Sequence, residues 1–321
     1  MNRQHPVHPV LAEVVRSGFV EGRHRGSLVL LGRDGAVELA LGDVSSPFFP
    51  RSANKPMQAA AMLRAGLDLD GELLALAAAS HSGEPFHLAG VRKILAAAGL
   101  DESALRTPPD LPLDRDEADR WLREGAARSP IAMNCSGKHA AMLAVSAANS
   151  WSLATYRDPD HPLQLAVRDA VAAAAGEEVD HIGVDGCGAP IMSLSLTGLA
   201  RAFRTYVLAA PGTAERRVAD AMRAHPEYVA GTHRHDTWLM RGIPGALTKV
   251  GAEAVQALAL PDGRALALKI DDGAARALGP VLARALSLLG VDAAEAPVLA
   301  RVADSPLLGG GERVGEVRAA F

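Results

Sequence analysis

The sequence predicts an α+β fold. Three observations carry that prediction. Short apolar runs bounded by turn signals cluster near both chain ends. Long stretches rich in Ala and Leu, both good helix formers, fill the middle. No linker, internal repeat or low-complexity tail separates the two kinds of segment.

Near the start, residues 11–16 and 26–32 are apolar runs that read as strands. Asp34-Gly35 then turns the chain into a third run, 36–41, which is a hairpin signal. A loop carrying Pro47, Phe48, Phe49 and Pro50 follows. Residues 57–63 and 72–77 are helical by propensity, and 87–98 and 138–147 are similar. A proline-rich loop, 107–112, interrupts them, and Pro162 stands at a first-turn position of a helix over 162–175. Further helices are expected at about 191–203 and 213–224. Residues 245–249, 253–258 and 264–270 read as strands, with turns at Val250-Gly251 and Pro261-Asp262-Gly263. A helix over 273–289 and a last strand at 311–317 complete the pattern. The expectation is one domain, 1–321, with an antiparallel sheet assembled from the two chain ends. Its sheet part spans about 1–60 and 240–321, and its helical part about 61–239.

Composition narrows the function classes. With 49% hydrophobic and 22% charged residues, the 321-residue chain can bury a core without disulfides or a structural metal. A net charge of −4 argues against nucleic-acid or anionic-membrane partners, both of which require a basic surface. No apolar stretch approaches the ~18–20 residues of a membrane span. Met1-Asn2-Arg3-Gln4-His5-Pro6 lacks the apolar core of a secretory leader, so cytoplasmic residence is the expectation. A disulfide between the two cysteines, Cys135 and Cys187, is not expected in that compartment. They are either buried inert thiols or a metal or catalytic pair.

Lysine usage is more telling. Of 33 Lys plus Arg, only Lys55, Lys93, Lys138, Lys249 and Lys269 are lysine. A chain that uses Arg wherever a surface cation suffices keeps Lys where Arg cannot serve, and Arg cannot lose its proton. Lys93, in Val91-Arg92-Lys93-Ile94-Leu95, still reads as a solvated surface residue.

Four segments concentrate reactive side chains. Ser52-Ala53-Asn54-Lys55 has Ser-x-x-Lys spacing, which places an amine beside a hydroxyl if a helix opens there. By itself it reads equally as an N-cap serine followed by a surface lysine. Ser80-His81-Ser82-Gly83-Glu84 ends a helical run and could present hydroxyls and backbone N–H groups to a substrate, or be an ordinary helix-ending loop. Asn134-Cys135-Ser136-Gly137-Lys138-His139 joins one cysteine to a scarce lysine, and Asp185-Gly186-Cys187-Gly188 surrounds the other. Two thiolates suit zinc but do not fill a tetrahedral site. Lys249, in Thr248-Lys249-Val250-Gly251, sits on a strand-like run next to glycine. Lys269 has acidic neighbours and reads as structural.

Taken in order, Arg51-Ser52-Ala53-Asn54-Lys55-Pro56-Met57-Gln58, Ser80-His81-Ser82-Gly83-Glu84, Asn134-Cys135-Ser136-Gly137-Lys138-His139-Ala140-Ala141-Met142, Val184-Asp185-Gly186-Cys187-Gly188-Ala189-Pro190 and Lys249-Val250-Gly251-Ala252-Glu253 resemble the asparaginase II family, the rhizobial type of L-asparaginase. The resemblance implies a fold similar to serine β-lactamases and glutaminases, a homodimer, and hydrolysis of L-asparagine to L-aspartate and ammonia. It implies two Ser–Lys pairs: Ser52 with Lys55, and a serine of the Ser80–Ser82 turn, taken as Ser80, with a strand lysine, taken as Lys249. It also implies zinc beside the active site, held by Cys135, Lys138 and Cys187 and not acting as the hydrolytic centre. Arg51, Asp185, His81 and Ser82 are the matching candidates for substrate binding. A glutaminase or another serine amidohydrolase is the nearest alternative. A zinc-responsive, amino-acid-binding regulator is the alternative from a different class.

Overall fold

The computed structural model describes residues 7–321. The leader reading rests on residues 1–6, which lie outside the described residues. No helix among the described residues is long and apolar enough to cross a membrane. The α+β class is borne out, with two compact units.

The sheet unit comprises residues 7–53 together with Leu194–Leu208 and Trp238–Phe321. Numbered in chain order, its strands are β1 (Val10–Arg16), β2 (Phe19–Leu31), β3 (Val37–Leu41), β6 (Leu247–Gly251), β7 (Val255–Ala259), β8 (Ala265–Ile270), β9 (Pro306–Gly309) and β10 (Glu312–Ala319). They form one antiparallel sheet in the order β6-β7-β8-β2-β1-β10-β9, with β3 also on β2. Both chain ends therefore build the sheet, as expected. The pairing of Val14 with Val317 joins them directly.

Side-chain alternation explains how the sheet is covered. Leu28, Leu30, Leu266, Leu268 and Ile270 enter a core with Val281, Leu282 and Leu286 of α11 (Leu278–Leu288) and Leu299 of α12 (Val298–Ala303). The intervening Ala265 and Ala267 face the other side, where small side chains let α7 (Leu196–Leu208) lie close on β2, β7 and β8.

The helical unit comprises Asn54–Ser193 and Ala209–Thr237. It contains α1 (Lys55–Arg64), α2 (Gly71–Ala77), α3 (Pro85–Ala97), α4 (Arg115–Arg123), α5 (Ser136–Ala148), α6 (Pro162–Ala175), α8 (Ala214–Ala224), α9 (Pro226–Val229) and a hairpin of β4 (Ile182–Val184) with β5 (Pro190–Met192). Helix α10 (His235–Gly242) carries the chain back to the sheet unit. Every residue of α1 except Arg64 is buried. Its Ala59-Ala60-Ala61 run lets α5, α6 and α8 approach closely enough to enclose it.

Four differences from the sequence reading have physical reasons. The expected helix over 191–203 begins instead as β5, because Pro190–Met192 pairs with β4. The helix starts at Leu196, where Ser195 Oγ accepts from the N–H of Gly198. Strand β2 starts at Phe19, since its first half alternates exposed and half-buried residues and lacks an apolar run. The helix expected over 273–289 opens as a single 3-10 turn, Ala275–Ala277, before α11. Helix α4, absent from the sequence reading, buries no side chain. It is held by Asp114, whose carboxylate caps Asp116 and Glu117, and by Arg120 pairing with Glu117 and Glu124.

Candidate active site

Ser52 lies in a 3-10 helix, Arg51–Asn54, that runs into α1 at Lys55. The expected α-helical turn at Ser52 is thus a tighter one, in which positions three apart still share a side. Arg51 occupies the left-handed region at φ 52°, and its guanidinium lies 3.9 Å from Glu253. Strand β6 comes close to this turn. A Cβ at Gly251 would lie 2.4 Å from the carbonyl oxygen of Pro50 and 3.2 Å from the amide of Ala53, so only glycine fits there. Lys249, fully buried on the same strand, donates to the Val250 carbonyl at 2.8 Å.

In the helical unit, Lys55 is 1% exposed and points at the Ser80 segment. Its Nζ donates to the Ala79 carbonyl at 2.5 Å, to Ser80 Oγ at 3.0 Å and to Cys135 Sγ at 3.0 Å. Three acceptors match the three N–H bonds of an ammonium. Ser80, which the sequence reading placed with a strand lysine, thus also has the amine of Lys55 on its Oγ. The amides of Ser80 and His81 donate to the carbonyls of Val229 and Asn134, at 2.9 and 3.0 Å. Those two N–H groups are therefore committed to the fold, as the reading of this turn as an ordinary helix-ending loop has it.

His81 is fully buried, and its Nε2 lies 2.8 Å from Ser136 Oγ. Ser136 gives its own proton to the Ile131 carbonyl at 2.7 Å, so His81 donates through Nε2 and its Nδ1 is left as a buried acceptor without a partner. Burial, helped by the fields of His87 and Lys55, pushes the His81 pKa well down and keeps the ring neutral. Ser82 Oγ is also buried and unpartnered, and it lies beneath Gly231, where a Cβ would come within 2.2 Å of it. Between the two serines of this turn, Ser80 is the one on a lysine.

The second half of the cluster is built by α5 and the β4–β5 hairpin. Asp185-Gly186-Cys187-Gly188 is the hairpin turn, closed by the Gly188 amide on the Asp185 carbonyl at 2.8 Å, with Gly188 at φ 82°. That turn packs Cys187 in one cluster with Cys135, at the start of α5, where Cys135 Sγ donates to Asn134 Oδ1 at 3.1 Å. Lys138, in the first turn of α5, donates to Cys187 Sγ at 3.3 Å. The neighbouring Cys135 thiol, against the cost of burial, holds Cys187 far below an ordinary thiol, with Lys138 assisting. Cys187 and burial push Cys135 up. Burial pulls Lys138 down, but Cys187, Cys135 and Asp185 outweigh it and hold the amine above its usual range.

Two neighbours that sequence reading did not single out complete this half. His139 Nδ1 lies 2.7 Å from the Tyr156 hydroxyl, while its Nε2 is buried without a hydrogen-bond partner. Burial lowers the His139 pKa to about 4, opposed by Cys187. His139 was visible as the neighbour of Lys138 in its motif; Tyr156 carries no local signal. Among the described residues no group of three His, Cys, Asp or Glu side chains is placed to hold a metal ion. The donors that converge here are two sulfurs and a lysine nitrogen.

A serine hydroxyl held by a buried amine, in an α+β chain, is equipment that acyl-transferring hydrolases use. The chain belongs to the L-asparaginase II family, whose pattern matches residues 12–319, and it is an amidohydrolase at that level of description. The resemblance read from the motifs is thereby borne out. No curated protein matches the sequence. Among solved structures, a β-lactamase from Mycobacterium bovis aligns with a TM-score of 0.47 at 16% identity, over 83% of this chain and 94% of its own. Simvastatin synthase from Aspergillus terreus aligns at 0.44 and 11% identity, over 86% and 90%. EstCE1, described as a hydrolase with promiscuous acyltransferase activity, aligns at 0.40 and 15%, over 77% and 88%.

Proposed function

We propose that this chain is an L-asparaginase in which Lys55 is the base for a serine nucleophile. The observation that carries the reading is the 3.0 Å contact between Lys55 Nζ and Ser80 Oγ, in a setting where both side chains are buried. Once deprotonated, the amine accepts the serine proton. The serine oxygen attacks the side-chain amide carbon of asparagine, and Lys55 returns the proton to the departing ammonia. Water, activated by the same amine, then releases L-aspartate from the ester. Ser80 and Ser52 are the two serines for the attack: Ser80 by contact, Ser52 by its Ser-x-x-Lys spacing. Lys249 belongs to the second Ser–Lys pair, Arg51 suits the substrate carboxylate and Asp185 its ammonium. The committed amides of Ser80 and His81 leave stabilisation of the oxyanion to other donors.

The converging donors suit zinc, with Cys135, Cys187 and Lys138 as ligands and the unpartnered Nε2 of His139 beside them. When bound, the metal would supply a fixed positive charge that organises the site. Binding requires Cys135 and Lys138 to give up protons that the fold holds, so affinity rises with pH. Metal content after dialysis is expected to fall in Cys187→Ser; unchanged zinc would remove this assignment. Homodimeric assembly is carried with the proposal on the resemblance.

Ammonia release from asparagine and from glutamine tests the substrate, and faster turnover of glutamine would move the reading to a glutaminase. Binding of zinc and amino acid without turnover would favour the regulator. An electrophilic asparagine analogue followed by peptide mapping locates the acyl group. A label on Ser80 makes Ser80 the nucleophile, and a label on Ser52 makes Ser80 the partner that orients Lys55. Full activity in Lys55→Met would overturn the mechanism.

A further inference from the structure

We propose that Cys135 and Cys187 form a reversible intramolecular disulfide, so that a hydroperoxide oxidant and a metal ion compete for the same two sulfurs. The competition rests on the zinc reading above; the disulfide itself stands on geometry. These are the only two cysteines of the chain, and both are free thiols. One opens α5 and the other sits in the β4–β5 turn. Nonetheless they pack in one buried cluster with Met133 and Ala189. Each sulfur also faces a lysine amine, Lys55 at Cys135 and Lys138 at Cys187.

Paired sulfurs convert a first oxidation into a disulfide before further oxygen can add. One sulfur attacks a hydroperoxide: an S–O bond forms and the O–O bond breaks. The thiol proton leaves on the departing oxygen, as water when the oxidant is hydrogen peroxide. The second sulfur then attacks the sulfenic acid: an S–S bond forms, the S–O bond breaks, and hydroxide leaves with the second thiol proton as water. Exposures of 3% at Cys135 and 0% at Cys187 restrict entry to small oxidants. The product removes two metal ligands at once and takes from Lys55 one of its three acceptors. Disulfides in reducing compartments are characteristically transient and redox-sensing.

The test uses the whole protein, either chelated or zinc-loaded, exposed to hydrogen peroxide, then denatured and alkylated for mass spectrometry. In the chelated protein both thiols should disappear together and the mass fall by two hydrogens. The peptides carrying Cys135 and Cys187 should be cross-linked, and dithiothreitol should restore both thiols. At free zinc about ten times its dissociation constant, the rate should fall about tenfold, since only the unliganded fraction reacts. Two thiols that still alkylate, or one sulfur carrying added oxygen without a cross-link, would overturn the proposal. Cross-linking at the same rate with and without zinc would sink the metal reading and leave the disulfide standing.

Discussion

The two units bury different kinds of side chain. The sheet unit closes mainly over Leu, Ile and Val; Thr248 and Gln256 satisfy each other and the Ala257 carbonyl, and Lys249 and His24 are its buried ionisable side chains. The helical unit, built on Ala-rich helices, buries Lys55, Lys138, His81, His87, His139 and both cysteines. Small residues on α1 and α5 leave room between helices for long polar side chains, and each is then held by backbone carbonyls, hydroxyls or sulfurs. The difference teaches where reactivity can be stored. Large apolar side chains leave space for one buried amine, Lys249, whereas the alanine-rich helices enclose a cluster of amines, imidazoles and thiols.

The largest expected effect follows directly. Lys55→Met keeps the length of the side chain and removes the amine, and should lower kcat by ~10²–10⁴-fold, the usual worth of a positioned base. Circular dichroism should be near wild type, and steady-state ammonia release is the readout. Lys249→Met should cost a similar factor. If it did not, the chemistry would belong to the buried polar core of the helical unit alone.

Acid should separate the units next. Burial lowers the His87 pKa to about 4, and His81 is lowered too. Both rings are neutral when folded and gain protons in the unfolded chain below about 6.5. The unfolded state then binds more protons, so stability is fully present above that pH and is lost as pH falls toward the folded pKa. For His87 the loss is on the order of 3 kcal/mol between pH 7 and pH 4. Urea midpoints across that range should fall in wild type and fall less steeply in His87→Gln. Equal slopes would break the assignment of acid sensitivity to these buried rings.

Much of this was legible because it is local. Lysine scarcity flagged Lys55, Lys138 and Lys249, all three of which are buried, and left Lys93 on the surface at 64% side-chain exposure. The Asp185–Gly188 turn and both cysteine motifs were visible as short patterns. The contact between Lys55 and Ser80 was not, since it depends on how α1 packs beside the segment after α2. Nor was the tautomer of His81, which is set by where Ser136 sends its proton. The β4–β5 hairpin escaped because three-residue strands carry too few side chains to show a period of two.

A backbone contact gives a smaller expected effect. Gly251→Ala would press a methyl group against the Pro50 carbonyl and the Ala53 amide, moving either β6 or the turn that carries Ser52. Overpacking of this kind costs ~1–3 kcal/mol, so the thermal midpoint should drop and activity should fall with it. A loss of stability with activity per folded molecule unchanged would show that the position of the Ser52 turn does not matter to the reaction.

The smallest effect is expected at Lys269, the other strand lysine of the sheet unit. Its Nζ donates to the carbonyls of Glu253 and Ile270, at 2.7 and 2.5 Å, which ties the turn after β6 to the end of β8. Burial lowers its pKa, with Asp271, Glu253 and Asp272 opposing, yet the side chain is only half-buried. An amine occupied with main-chain oxygens at a strand end serves the turn. Lys269→Met should therefore cost about 1 kcal/mol of stability through lost hydrogen bonds, with kcat within about twofold of wild type. A loss as large as that expected for Lys249→Met would exchange the roles of the two strand lysines. It would place the reactive amine of the sheet unit at the half-exposed end of β8 instead of in the buried centre of β6.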